Sequence, residues 1–222
     1  MNVLIACEES QTVCKAFRRR CHNAFSCDIQ EPSGGHPEWH VLGDATKLLK
    51  SRDIVFNTMD GVKHSIPKWD LLIAHPPCTY LSNAGARHLW KGHKLNRERF
   101  ELGLEAKLFF LAFLNAPIER ICVENPVPSK VYKLPKYDQI IHPCMFGHPY
   151  TKRTCLWLDG LPDLKATNVV DPIATWCPSG SYSYKHGKQH KGMFTKDRAR
   201  MRSKTFEGIA EAMAEQWGSV LK

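Results

Sequence analysis

Short apolar runs separated by polar turns recur along the chain, and two of them, Val3–Cys7 and Leu71–Ala74, are apolar at every position. Val3–Cys7, Ala24–Ile29, Leu71–Ala74 and Ile118–Val123 read as buried strands. A parallel strand covered on both faces needs no polar alternation, and such runs are too short for helices. Trp39–Ala45 carries a short strand ending at Asp44, Asp53–Thr58 a further one, and Cys155–Leu158 a late one. Between the strands the apolar period lengthens to that of a helix. Ser10 can cap a helix running to about Arg20, and Leu104, Leu108, Leu111 and Phe113 mark a helix over Phe100–Leu114 ended by Pro117. Phe206, Ile209, Ala210, Met213 and Trp217 share one face of a last helix, capped near Thr205. Strands alternating with helices predict an α/β fold built on a doubly wound, mostly parallel sheet.

The chain has 222 residues, enough for one domain with a real core. No internal repeat or low-complexity tract interrupts it. Residues 171–203, rich in Gly, Ser, Tyr, His and Lys, read as a long basic loop or small insertion rather than a second domain. No apolar run approaches the length of a membrane span. Val3–Cys7 is too short for a signal-peptide core and is followed at once by Glu8 and Glu9, so a cytoplasmic protein without a membrane partner is expected. Nine cysteines, with no C-x-x-C pair, imply reduced thiols. His142, Cys144, His148 and Cys155 cluster without the spacing of a common zinc site, and no metal is expected.

The formal net charge of +9 favours a polyanionic partner. Lys185 to Lys204 holds eight cations, Lys188, Lys191 and Lys196 among them, against the single acid Asp197. A second basic stretch from Arg87 to Arg99 includes Lys91, Lys94 and Arg97. Arg87, Lys91, Lys94, Arg97, Lys188, Lys191 and Lys196 are therefore candidate phosphate contacts.

Two segments carry candidate chemistry. HPPCTYLS (His75–Ser82) follows the strand ending at Ala74, and CVENP (Cys122–Pro126) contains the end of the strand over Ile118–Val123. In open α/β sheets chemistry collects at the carboxyl edge of the strands, so both segments deliver side chains to one place. Cys78 stands in a loop after two prolines and before a polar Thr-Tyr, unlike a core cysteine. A thiol beside the carboxyl of Glu124 suits nucleophilic attack on an electron-poor ring.

Pro77-Cys78, with Ser82 after it, and Glu124-Asn125 resemble the Pro-Cys and Glu-Asn-Val motifs of the DNA cytosine-5 methyltransferases, with Pro126 in place of Val. The resemblance implies a compact, Rossmann-like S-adenosylmethionine-dependent methyltransferase without a long target-recognition domain. It implies a covalent bond from Cys78 to C6 of cytosine, Glu124 acting at N3, and Asn125 orienting Glu124 or the base. Arg153, in TKRTC (Thr151–Cys155), would hold the base or buttress Glu124, a task Lys152 could share. For the cofactor it implies contacts from Cys7, Glu8, Glu9, Asp28, Asp44, Pro76 and Pro77, with Asp28 on the ribose hydroxyls and Asp44 on the adenine amino group. The first loop departs from the family, reading Ala6-Cys7-Glu8-Glu9-Ser10 where glycines are usual. The expected substrate is cytosine in duplex or single-stranded DNA. The same chemistry on RNA or a free nucleotide, or a catalytically silent nucleic-acid-binding module, stay open.

Overall fold

Residues 1–176, 182–183 and 204–219 are described in a computed structural model of the chain. A seven-stranded sheet runs through it, in the spatial order β3-β2-β1-β6-β9-β12-β10. Its strands are β1 (Asn2–Ala6), β2 (Asn23–Asp28), β3 (His40–Leu42), β6 (Leu71–Ala74), β9 (Ile121–Pro126), β10 (Gln139–Ile141) and β12 (Thr154–Asp159). The first five pair in parallel, and β12 runs antiparallel between β9 and β10. The hairpin β4–β5 (Ile54–Asn57 with Lys63–Ile66) and the hairpin β7–β8 (Trp90–Lys91 with Lys94–Leu95) stand outside this sheet. Three two-residue strands, β11 (Tyr150–Thr151), β13 (Ala174–Thr175) and β14 (Tyr182–Ser183), form a small sheet of their own.

Period-two alternation divides the core between the faces of the large sheet. Leu4, Phe25, Leu72, Val123 and Trp157 point to the side covered by α3 (Arg97–Leu114), through Phe110 and Phe113. Val3, Ile5, Ala24, Ile73 and Leu156 point to the side covered by α1 (Thr12–Arg19) and the last helix (Glu207–Gly218), through Phe17, Met213 and Trp217. Glu211 of the last helix pairs with Arg19 and Arg20 at the end of α1. The result is a mixed α/β fold with helices on both sheet faces.

Local chemistry moved several boundaries from those expected. α1 begins at Thr12 because the Glu8 carboxylate accepts from the N–H groups of Val13 (2.6 Å) and Cys14 (3.1 Å), while Ser10 only assists at Thr12. Glu8 thereby caps the helix in place of the expected Ser10. α3 begins at Arg97, where the Asn96 side chain accepts from Arg99 N–H at 3.2 Å. The last helix starts at Glu207, after Phe206, and its Gly208 N–H donates to His148 Nε2 at 3.0 Å, so His148 rather than Thr205 caps it. β9 does not occupy Ile118–Val123. It starts at Ile121 and runs to Pro126, because β12 pairs with it throughout, from Asp159 opposite Ile121 to Thr154 opposite Pro126. Glu124 and Asn125 are thus held in a strand, not in the loop beyond it. Residues 171–203 contribute β13 and β14 before and within the stretch outside the described residues.

Candidate active site

The parallel register aligns Cys27, Ala6, Ala74 and Val123 in one row across β2, β1, β6 and β9. Asp28, Cys7, His75 and Glu124 therefore form the next row, at the carboxyl edge of four neighbouring strands. The chain leaves β1 toward β2 on one side, while β6 lies on the other, so the strand order reverses here. Loops diverge at such a point and leave a crevice, the usual ligand position of an open α/β sheet.

Cys78 lies in the loop after β6, which is fastened at both ends. Asn125 Nδ2 donates to the Pro76 carbonyl at 2.7 Å, and Ser82 N–H donates to the Cys78 carbonyl at 3.1 Å. Beyond Cys78, Arg99 donates to the carbonyls of Thr79 and Gly85, both at 3.2 Å, with its guanidinium over the Tyr80 ring. Asn83 N–H to the Val127 carbonyl (3.1 Å) and Ser129 N–H to the Leu81 carbonyl (2.7 Å) join the segment after Cys78 to the segment after β9. The thiol and carboxylate segments are therefore one connected unit. Cys78 is half-buried, with Pro76 buried and Pro77 exposed before it. Burial pushes the thiols of Cys7, Cys14, Cys27, Cys122 and Cys155 up, Cys27 to about 12 and Cys155 to about 11, which makes them poor nucleophiles.

Glu124 is 14% exposed and lies 3.1 Å, Oε2 to Nδ1, from His75, itself 7% exposed. Burial works to raise its carboxyl, but the His75 bond and the charges of Lys152 and His75 outweigh it and hold the group below the usual range. The cation acting on Glu124 is Lys152, which shares a small cavity with it and with Thr154 and Phe206. Arg153, the residue singled out in the sequence, is exposed, and its charge acts instead on Cys155 and His142. Both residues lie in the two-residue link between β11 and β12, just ahead of Thr154.

The first loop turns without glycine. Cys7 (φ 59°) and Gln11 (φ 57°) adopt the left-handed conformation themselves. Both Glu8 oxygens are occupied by the start of α1. Glu9, 7% exposed, has both carboxylate oxygens buried without a hydrogen-bond partner among the described residues. Asp28 accepts from Gln30 N–H at 2.9 Å, and burial raises its carboxyl. Asp44 caps a 3₁₀ turn over Ala45–Leu48, accepting from the N–H and hydroxyl of Thr46.

Six buried side-chain nitrogens or oxygens lack a partner among the described residues, and four belong to this edge: Glu9 Oε1 and Oε2, His75 Nε2 and Asn125 Oδ1. Buried polar atoms are rarely left unsatisfied unless something else completes them. Sequence reasoning missed His75, although a histidine directly after a wholly apolar strand was the available signal. It also missed Arg99. Of the candidate phosphate contacts, Lys94 and Arg97 are exposed, on β8 and at the start of α3. Arg87 and Lys91 are described by backbone alone, and Lys188, Lys191 and Lys196 lie outside the described residues. Among the described residues no cluster of His, Cys, Asp and Glu is arranged to hold a metal, and no helix is long and apolar enough to cross a membrane.

No protein-family model matches the sequence, and no curated protein matches it. A solved structure described as a proposed DNA modification methyltransferase encoded within a prophage (E. coli) is similar at 13% identity and a TM-score of 0.45. The match covers 78% of this chain and 52% of that one, so the chain spans about half that protein's length.

Proposed function

We propose that the protein is an S-adenosylmethionine-dependent methyltransferase acting on C5 of cytosine in DNA. The observation that carries this reading is the carboxyl edge of β1, β6 and β9, which holds Glu124 and four buried polar atoms without partners among the described residues, with the Cys78 loop tied to it through Asn125. The motif resemblance supplies the chemistry, and the geometry is compatible with it.

The residues present fit a cationic nucleoside cofactor. Glu9 offers a buried, unpartnered carboxylate to a positive amino group, and Asp28 stands after β2, where ribose hydroxyls are usually met. When bound, the cofactor supplies an electrophilic methyl group. Asp44 keeps one carboxylate oxygen beyond its turn for a further contact, while Glu8 acts structurally.

The rest is the work of this chain. Cys78 Sγ, as thiolate, forms a bond to C6 of cytosine, and the electron pair of the C5–C6 double bond moves into the ring, making C5 nucleophilic. Glu124, as carboxylate, faces the N3 edge and accepts from N3–H once N3 has taken a proton from water, which neutralises the charge that attack drives onto N3. Asn125, anchored on Pro76, fixes the spacing of the two groups. After C5 has gained its methyl group, loss of the C5 proton restores the double bond and expels Cys78. Neither group reaches a base inside a duplex, so the cytosine is flipped out or already unpaired. The cations from Arg87 to Arg97 and from Lys188 to Lys196 would hold phosphates.

Incubation with methyl-labelled S-adenosylmethionine and, separately, duplex DNA, single-stranded DNA, RNA and dCTP tests the proposal. Nucleoside analysis should show label in 5-methylcytosine from DNA. Label only in RNA or in the free nucleotide would move the substrate, and label in no product would favour a silent binding module.

A further inference from the structure

His75 is placed by the fold with unusual firmness. Its N–H donates to the Ala6 carbonyl at 2.9 Å, Pro76 follows it, and its ring is buried between the first loop and β9. The Glu124 carboxylate beside it is an acceptor only, so Nδ1 of His75 must carry the proton between them. Nε2 then has no partner among the described residues. Two buried carboxylates act on this ring from different elements: Glu124 on β9 and Glu8 in the first loop. Glu124 in turn faces Lys152 ahead of β12, and its charge reaches the thiols of Cys122 and Cys155.

We infer that His75 is a positioning residue: it fixes the Glu124 carboxylate in place, toward the position a substrate base would take. A lone carboxylate this buried would otherwise drift toward the neutral acid and rotate freely about its last torsion. The Nδ1–H bond opposes both. This inference rests on the proposed methyl transfer for its catalytic meaning, but not for the state of Glu124 itself.

The test replaces His75 with Phe, which keeps the ring volume without a donor, and with Asn, whose Nδ2–H can take the place of Nδ1–H. Carbon-13 labelling of glutamate, with the Glu124 signal assigned by its loss in Glu124→Gln, reports the titration of this carboxyl directly. In His75→Phe its midpoint should rise, and in His75→Asn it should return most of the way. In methyl transfer, His75→Phe should lower kcat on the order of a hundredfold, as expected when a reacting group loses its fixed position, and leave KM for DNA within about twofold, as for a group working in the transition state. The acid limb of its pH–rate profile should shift upward, and His75→Asn should recover most of kcat. An unchanged Glu124 titration in His75→Phe, or in His75→Asn an activity as low as in His75→Phe, would overturn the inference. If His75→Phe does not fold, His75→Asn against His75→Gln, whose longer donor misses the Nδ1 position, makes the same comparison. A shifted Glu124 titration in a chain that methylates nothing would support the role of His75 and reject the proposed reaction.

Discussion

At the residue scale, the site is marked by polar groups held where the fold alone gains nothing from them. Glu9 is the sharpest case, because its buried carboxylate has no hydrogen-bond partner among the described residues, and such a group destabilises the protein that carries it. Glu9→Gln should therefore raise the thermal midpoint of the ligand-free protein while weakening S-adenosylmethionine binding by roughly ten- to a hundredfold, the scale of one charge-assisted contact. Differential scanning and titration calorimetry on the same preparation check both; unchanged affinity would remove Glu9 from the cofactor site. The placement of Cys78, Glu124 and Asn125 at the carboxyl edge of the sheet was legible in the sequence because the apolar runs before them end there. Glu8 was not, because its role depends on where α1 starts, and that start is fixed by a contact across the loop. The family motif points to Arg153, whereas Lys152 is the cation that shares a cavity with Glu124, a choice the link before β12 makes without a sequence signal.

At the element scale, apolar runs predicted the strands well because burial on both faces leaves a simple signature. The exception is β9, whose far half, Glu124 to Pro126, is too polar to read as strand and is held by pairing with β12. Antiparallel partners thirty residues away leave no local trace. Two close helix and loop contacts rest on glycines. A Cβ on Gly103 of α3 would lie 2.1 Å from the buried Tyr132 ring, and one on Gly85 2.1 Å from the Thr79 carbonyl oxygen. Alanine favours a helix over glycine by about 1 kcal/mol, but overpacking a core contact costs about 1–3 kcal/mol. Gly103→Ala should then lower stability in urea titrations with little change in kcat beyond it. Gly85→Ala should instead lower kcat at nearly full folding, because the displaced carbonyl belongs to the Cys78 loop. Equal kinetic effects from both would mean the loop is not positioned this way.

At the scale of the whole molecule, stability should depend on pH through groups buried in their neutral form. His40 is wholly buried, with Nδ1 2.8 Å from Ser26 Oγ and Nε2 3.0 Å from the Gln30 carbonyl. Burial lowers its pKa below the ordinary 6.5. Protons then bind the unfolded chain more readily, so this stabilisation is complete above the ordinary value and fades as pH falls through and below it. Urea midpoints at pH 7.5 and 5.5 should fall further for the native chain than for His40→Gln; equal falls would mean another group governs the trend. The architecture itself, helices on both faces of a mostly parallel sheet whose strand order reverses at β1, followed from the alternation of elements. The small sheet of β11, β13 and β14 did not, since two-residue strands carry no period. The central claim is a covalent role for Cys78, and trapping tests it most directly. A DNA duplex carrying 5-fluorocytosine, incubated with S-adenosylmethionine, cannot lose a proton from C5 after methyl transfer, so the bond to Cys78 should persist. Mass spectrometry of the digested complex should find the methylated fluorocytosine on the peptide containing Cys78, and nothing on Cys78→Ser. Turnover of ordinary cytosine without any trapped adduct, or an adduct on another cysteine, would contradict the account.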